Sequence, residues 1–180
     1  MTNDNIISAV RYILNNARKT TTAADSTFRG LFSYDGKYVA CDGYRLLRLN
    51  QDIPQLPHTQ HKSTDLNPTK LINEAKKDGE TFSLPTVGEW EKFVIEQRRA
   101  AEDADDFYAT SYCLDNYIWV NPEYLLDMLN ALPGCVAYKP DRPIDPIYFK
   151  AKNGDGLLLP IRPPRDVLNN QTATPKGESL

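Results

Sequence analysis

Long apolar runs are missing from this chain. None approaches the roughly 20 residues that a membrane-spanning helix needs, and no secretory apolar segment follows Met1. A soluble, cytoplasmic protein with no membrane partner is the expectation. Cysteine is scarce too. Cys41, Cys113 and Cys135 are odd in number and far apart, which argues against a disulfide framework and a four-cysteine zinc site and leaves them as small buried hydrophobes. The two histidines, His58 and His61, are spaced like a metal pair but sit in a polar loop with no evident third ligand. A glycine-rich phosphate loop, a Gly-x-Ser-x-Gly elbow and a His-Glu-x-x-His helix are all absent. No enzymatic activity, no cofactor and no metal are therefore expected. Positive charge is not in excess either. A net charge of -3 gives no overall draw to nucleic acid, so only a locally basic wall would favour it.

What is present suffices for one ordinary core: 180 residues, 41% of them hydrophobic and 25% charged. The first element reads as a helix over residues 2–19, where Ile6, Val10, Ile13, Leu14 and Ala17 repeat at helical steps along one face. Asp4 in its first turn and Arg18 and Lys19 in its last suit the helix dipole. Ser8, Arg11, Asn15 and Arg18 line the opposite face, which fits a solvated surface as well as a phosphate-facing one.

A β region follows. Segments 28–34 and 37–41 flank Asp35-Gly36, a hairpin signal because both residues tolerate positive φ, and Asp42-Gly43 leads into a further strand at 44–49. Residues 51–63 read as a loop. In the centre, Asn67-Pro68 caps a short helix bearing Leu71, Ile72 and Ala75, with Lys70, Lys76 and Lys77 as its basic side. Thr86 and Glu89 fit a capping box for a helix running to about residue 101, through Trp90, Phe93, Val94 and Gln97. Its end carries Arg98 and Arg99 and the acidic run Glu102, Asp103, Asp105 and Asp106, all readable as solvated charge.

The last part repeats the first. Strands are expected at 107–113 and 117–120 around Asp115-Asn116. Asn121-Pro122 then opens a helix whose buried stripe is Tyr124, Leu125, Met128, Leu129 and Leu132, and Pro133-Gly134 ends it. Strands at 135–138, 147–151 and 157–161 follow, with Asn153-Gly154-Asp155-Gly156 as the final turn. Glu123, Asp127 and Asn130 point outward from the helix and bring two negative charges with no Lys or Arg of their own, which opposes phosphate binding.

Three segments carry a family resemblance. Cys41-Asp42-Gly43-Tyr44-Arg45-Leu46 resembles the strand Thr-Asp-Gly-His-Arg-Leu of the bacterial DNA sliding clamp, the beta subunit of the replicative polymerase. Leu157-Leu158-Leu159-Pro160-Ile161-Arg162 is similar to that family's C-terminal strand ending Met-Pro-Met-Arg, and the segment from Asn121 to Leu129 to its Asn-Pro-x-Tyr-Leu-x-x-x-Leu helix. The likeness spans roughly residues 2–50 and 115–162. It implies an α+β, clamp-like domain over 1–162, with two similar halves at about 2–50 and 107–162, a helical insertion at about 51–106 and a mobile tail at 163–180.

The function implied is non-enzymatic: binding short peptides of replication or repair proteins in a pocket of Gly43, Tyr44, Arg45, Leu46, Leu159, Pro160, Ile161 and Arg162. Tyr44 stands where the family has His, Cys41 where it has Thr, and Leu159 and Ile161 where it often has Met. The pocket is accordingly expected to be narrower in choice or reshaped. Leu46, Leu159 and Ile161 fit plain core strand positions equally. An alternative is a processivity factor that encircles double-stranded DNA nonspecifically through Arg11, Arg18, Lys76 and Lys77. It requires homo-oligomerisation, since about six such domains close a clamp ring. A metal-dependent nucleic-acid enzyme built on the run from Glu102 to Asp106 is the remaining alternative.

Overall fold

The computed structural model describes residues 3–19, 30–56, 58, 67–75, 77–102 and 111–162. Among them are four helices and eight strands: α1 (Asn3–Lys19), β1 (Gly30–Tyr34), β2 (Lys37–Cys41), β3 (Arg45–Leu49), α2 (Pro68–Glu74), α3 (Val87–Glu102), β4 (Tyr112–Leu114), β5 (Ile118–Val120), α4 (Pro122–Ala131), β6 (Val136–Tyr138), β7 (Ile147–Ala151) and β8 (Gly154–Leu158). The class is α+β, as the family resemblance implies, with the strands paired antiparallel rather than through βαβ crossovers.

Turn chemistry sets the hairpins. Asp35 and Gly36 have φ of 47° and 68°, and Asp115 and Asn116 have 49° and 53°. These positive pairs supply the twist that tight β1–β2 and β4–β5 hairpins need. Beyond the local turns, all pairings in the main sheet are antiparallel, and its order is β1-β2-β3-β8-β7-β6. Exchanging β1 with β6, β2 with β7 and β3 with β8 leaves that order unchanged. The sheet is therefore two three-strand units joined at the β3–β8 seam, where Leu46 faces Leu157 and Arg48 faces Asp155.

Period-two alternation divides the sheet into two faces. Leu31, Ala40, Leu47, Leu49, Ile147, Phe149 and Leu158 form the main core with Val10 and Ile13 of α1 and Leu125 and Met128 of α4. Phe32, Val39, Cys41, Leu46, Tyr148 and Leu157 form a second cluster with Ile72 of α2. The helix layer breaks the symmetry of the sheet: α1 lies over β1 and β2, whereas α4 lies over β3 and β8.

Two expectations are corrected here. The strand expected at 157–161 is β8, Gly154–Leu158, and Gly154 and Gly156 belong to it rather than to a turn. A Cβ on Gly156 would sit 2.5 Å from the Leu46 carbonyl oxygen and 2.7 Å from Met128 Cε, so close backbone approach explains the glycines. The second correction concerns charge. Glu123 pairs with Arg98 of α3 at 2.6 Å, and Asp127 pairs with Arg45 of β3. Tertiary partners thus neutralise the acidic positions of α4.

The central helices form as predicted. Asn67 caps α2 by accepting from the Lys70 amide at 2.8 Å. In α3, Glu89 donates its amide to Thr86 Oγ1 at 3.3 Å and its carboxylate accepts from the Thr86 amide at 3.0 Å, which completes the capping box. Trp90 anchors α3 to α4, donating Nε1 to the Pro122 carbonyl at 2.9 Å and stacking on Phe93. Cys41 is buried, while Cys113 and Cys135 are half-buried. Burial pushes the Cys135 thiol up to about 11. Among the described residues, no helix is long and apolar enough to cross a membrane.

Candidate functional site

The Asp42-Gly43-Tyr44-Arg45 segment folds back on itself. Gly43 has φ of 90°, a value side chains rarely allow, and this turns the chain so that Asp42 Oδ1 accepts from the amides of Tyr44 at 2.9 Å and Arg45 at 2.8 Å. Asp42 Oδ2 then accepts from the Arg45 guanidinium, at 3.1 Å from Nε and 2.6 Å from Nη2. The remaining arm, Nη1, donates to Asp127 Oδ2 on α4. From α1, Asn16 Nδ2 donates to Asp42 Oδ2 at 2.9 Å and reaches the Tyr124 hydroxyl at 3.2 Å. The Tyr124 ring lies 4.1 Å from Arg45 Cζ, a cation–π contact.

This node joins the β2–β3 turn to α1 and α4. One guanidinium serves two carboxylates inside the protein: Asp42 is fully buried, Arg45 3% exposed and Asp127 8% exposed. Burial, only partly offset by Arg45, pushes the Asp127 carboxyl up to about 7. Burial likewise raises the Tyr124 hydroxyl.

The eight expected pocket residues do not form one surface. Arg45 is buried with its donors engaged, so the expectation that it grips a peptide is corrected: it positions the turn that carries Tyr44. Leu46, next along the strand, is buried on the other face of the sheet against Ile72. Gly43, Tyr44, Leu159 and Arg162 are exposed, and Pro160 and Ile161 are half-buried. The Leu159 amide donates to the Tyr44 carbonyl at 2.9 Å, which joins the two segments, while the Ile161 amide donates to the Trp119 carbonyl of β5 at 2.9 Å. Tyr44 also packs on Tyr124, with ring centroids 5.7 Å apart.

Two clefts flank this end of the sheet. On the helix side, Tyr12, Asn15, Asn16, Arg45, Glu123, Tyr124 and Asp127 line one of about 450 Å³. On the far side, about 710 Å³ opens between α2 and the segment from Pro140 to Pro146, with Leu157 in its lining.

Of the expected DNA contacts, the two that are described, Arg11 and Lys77, do not share one wall. Arg11 is exposed on α1, on the helix side. Lys77 lies on the opposite face, its Nζ 5.5 Å above the Tyr148 ring and donating to Asn73 Oδ1 at 3.1 Å. Lys76 and the Arg18 side chain lie outside the described residues, as do His61, the acidic run from Asp103 to Asp106 and segment 163–180. His58 pairs with Asp52 at 3.0 Å. Among the described residues, no group of three or more His, Cys, Asp or Glu is gathered as a metal site would need.

Asp42, Asp127, Asn16 and Tyr124 were not expected as site residues. Helical periodicity sets Asp127 on the outward face of α4, and nothing local shows that Arg45, 82 residues away, meets it there. No family model, curated protein or solved structure matches this chain.

Proposed function

We propose that this chain is a non-enzymatic, clamp-like binding protein of the cytoplasm that holds short peptide segments of replication or repair proteins. The observation that carries the reading is the seam between the two three-strand units. There the Leu159 amide donates to the Tyr44 carbonyl at 2.9 Å, and both residues are exposed, Tyr44 at 43% and Leu159 at 39%. Exposed apolar groups joined by a ladder hydrogen bond, with the exposed Arg162 three residues beyond Leu159, suit an extended peptide with alternating apolar side chains.

Selection of short peptides from a random displayed library against the full chain tests this. Enriched peptides rich in apolar residues, whose binding is lost with Leu159→Asp and weakened about tenfold by Tyr44→Ala, are the expected result. Binding should resist chelator and depend weakly on salt. Failure to enrich any peptide, or binding untouched by both substitutions, would overturn the reading.

A second reading is a ring-forming processivity factor. The pairing of Glu123 with Arg98 and of Asp127 with Arg45 supports it, because it lifts the acidic objection to a phosphate-facing helix layer beside Arg11. Light scattering during size exclusion decides it. A closed assembly of about six copies, with salt-sensitive duplex binding weakened by Arg11→Ala, is its signature. A concentration-independent monomer excludes it.

A further inference from the structure

The outer face of the sheet carries an apolar cluster separate from the core that α1 and α4 share with the sheet. Its central residues are Leu46 of β3, Leu157 of β8 and Tyr148 of β7, and α2 covers them. The cover is slight. Helix α2 has seven residues, of which only Pro68 and Ile72 are buried, while Leu71 is 41% exposed. An isolated helix of that length does not hold itself together in water, so α2 persists because Ile72, fully buried, sits among the strand side chains. The covered cluster also has an open continuation. Leu157 borders the 710 Å³ cleft beside α2. Leu159 is two residues on, hence on the same face by strand alternation, and is exposed.

We propose that α2 is a built-in occupant of a peptide site, with Ile72 in the place that an aliphatic side chain of a partner segment takes when it binds. This rests on the peptide-binding reading and adds its regulation. The partner's chemistry follows from what already fits: a short amphipathic segment with one aliphatic anchor, able to extend along the seam toward Leu159. Tethering gives α2 an effective concentration in the millimolar range, so only a segment with more contacts than α2 displaces it.

The test uses α2 itself as the probe. A synthetic peptide of residues 67–75 is titrated into the isotope-labelled full chain, and saturable amide shifts are followed at Leu46, Tyr148 and Leu157. Three proteins are compared: wild type, Ile72→Ala and Asn67→Ala. The last removes an exposed cap, so it loosens α2 without touching the core. The expected result is binding at least tenfold tighter to Ile72→Ala than to wild type, about fivefold tighter to Asn67→Ala, and absent for a peptide carrying Ile72→Ala. Equal affinity for all three proteins would overturn the gating role of α2 and leave the peptide site standing. No saturable shift in any of them at about millimolar peptide would overturn both.

Discussion

Arg45 and Asp127, 82 residues apart in the chain, meet as a buried ion pair that ties β3 to α4. Asp42 shares the same guanidinium, so the pair is one arm of a three-residue node carrying one positive and two negative groups. Buried charges are costly unless their hydrogen bonds are complete, and here each arm of the guanidinium has a carboxylate.

Removing the cation strips two buried carboxyl groups of their counter-charge, leaving Asp42 only its bonds from Asn16 and the turn amides. Arg45→Ala is expected to lower unfolding free energy by about 3–5 kcal/mol, read from the urea midpoint. Arg45→Lys should recover only part of it, because an ammonium cannot reproduce the planar fork.

Protonation of Asp127 gives stability a defined pH slope. Its carboxyl is raised from 3.8 to about 7, so the folded protein holds a proton that the unfolded chain has released. The stabilisation from this proton is full below about pH 4 and is lost as pH rises to about 7, with a ceiling of about 4 kcal/mol. Asp127→Asn should flatten that slope and equal or exceed wild type above pH 7. Urea midpoints at pH 5, 6, 7 and 8 measure it. A wild-type curve rising over the same window would refute the assignment.

Two glycines should respond in opposite directions. Gly156→Ala forces a methyl against the Leu46 carbonyl and Met128, and is expected to cost about 1–3 kcal/mol or more. Gly88→Ala, exposed in α3 with nothing within 4 Å of the new Cβ, should stabilise by about 0.5–1 kcal/mol. Thermal midpoints of the two variants should move to opposite sides of wild type.

The α3 cap is a local test. Thr86→Ala removes the hydroxyl that accepts from the Glu89 amide and donates to its carboxylate, and should cost about 1 kcal/mol. Hydrogen bonds from the Thr86 hydroxyl and amide hold the Glu89 carboxyl below its usual range; Glu89→Gln keeps an acceptor for them but not the charge, so its cost should be smaller.

Much of the helix and strand map was legible in the sequence. The repeat of Ile6, Val10 and Ile13 marks α1, Asn121-Pro122 marks the start of α4, and Asp35-Gly36 marks the first hairpin, because each depends on residues within a few positions of one another. The misplacement of β8 has a different origin. Asn153-Gly154-Asp155-Gly156 has turn composition, yet Gly154 and Gly156 serve close packing against β3, a strand more than 100 residues away. Turn propensity and the need for a missing side chain look identical in one dimension.

The sequence by itself determined most of the helix and strand segments, the Asp35-Gly36 and Asp115-Asn116 turns, and that no long apolar segment is present, since these follow from local periodicity, composition and φ preference. Only the tertiary structure decided what the key side chains do. Arg45 and Leu46 are neighbours in the chain, but strand alternation sends one into a buried charge node with α4 and the other under α2. The charges of Glu123 and Asp127 are likewise neutralised by arginines from α3 and β3. Which groups a folded chain exposes depends on pairings between distant segments, and those are fixed by the packing of the sheet and its helices.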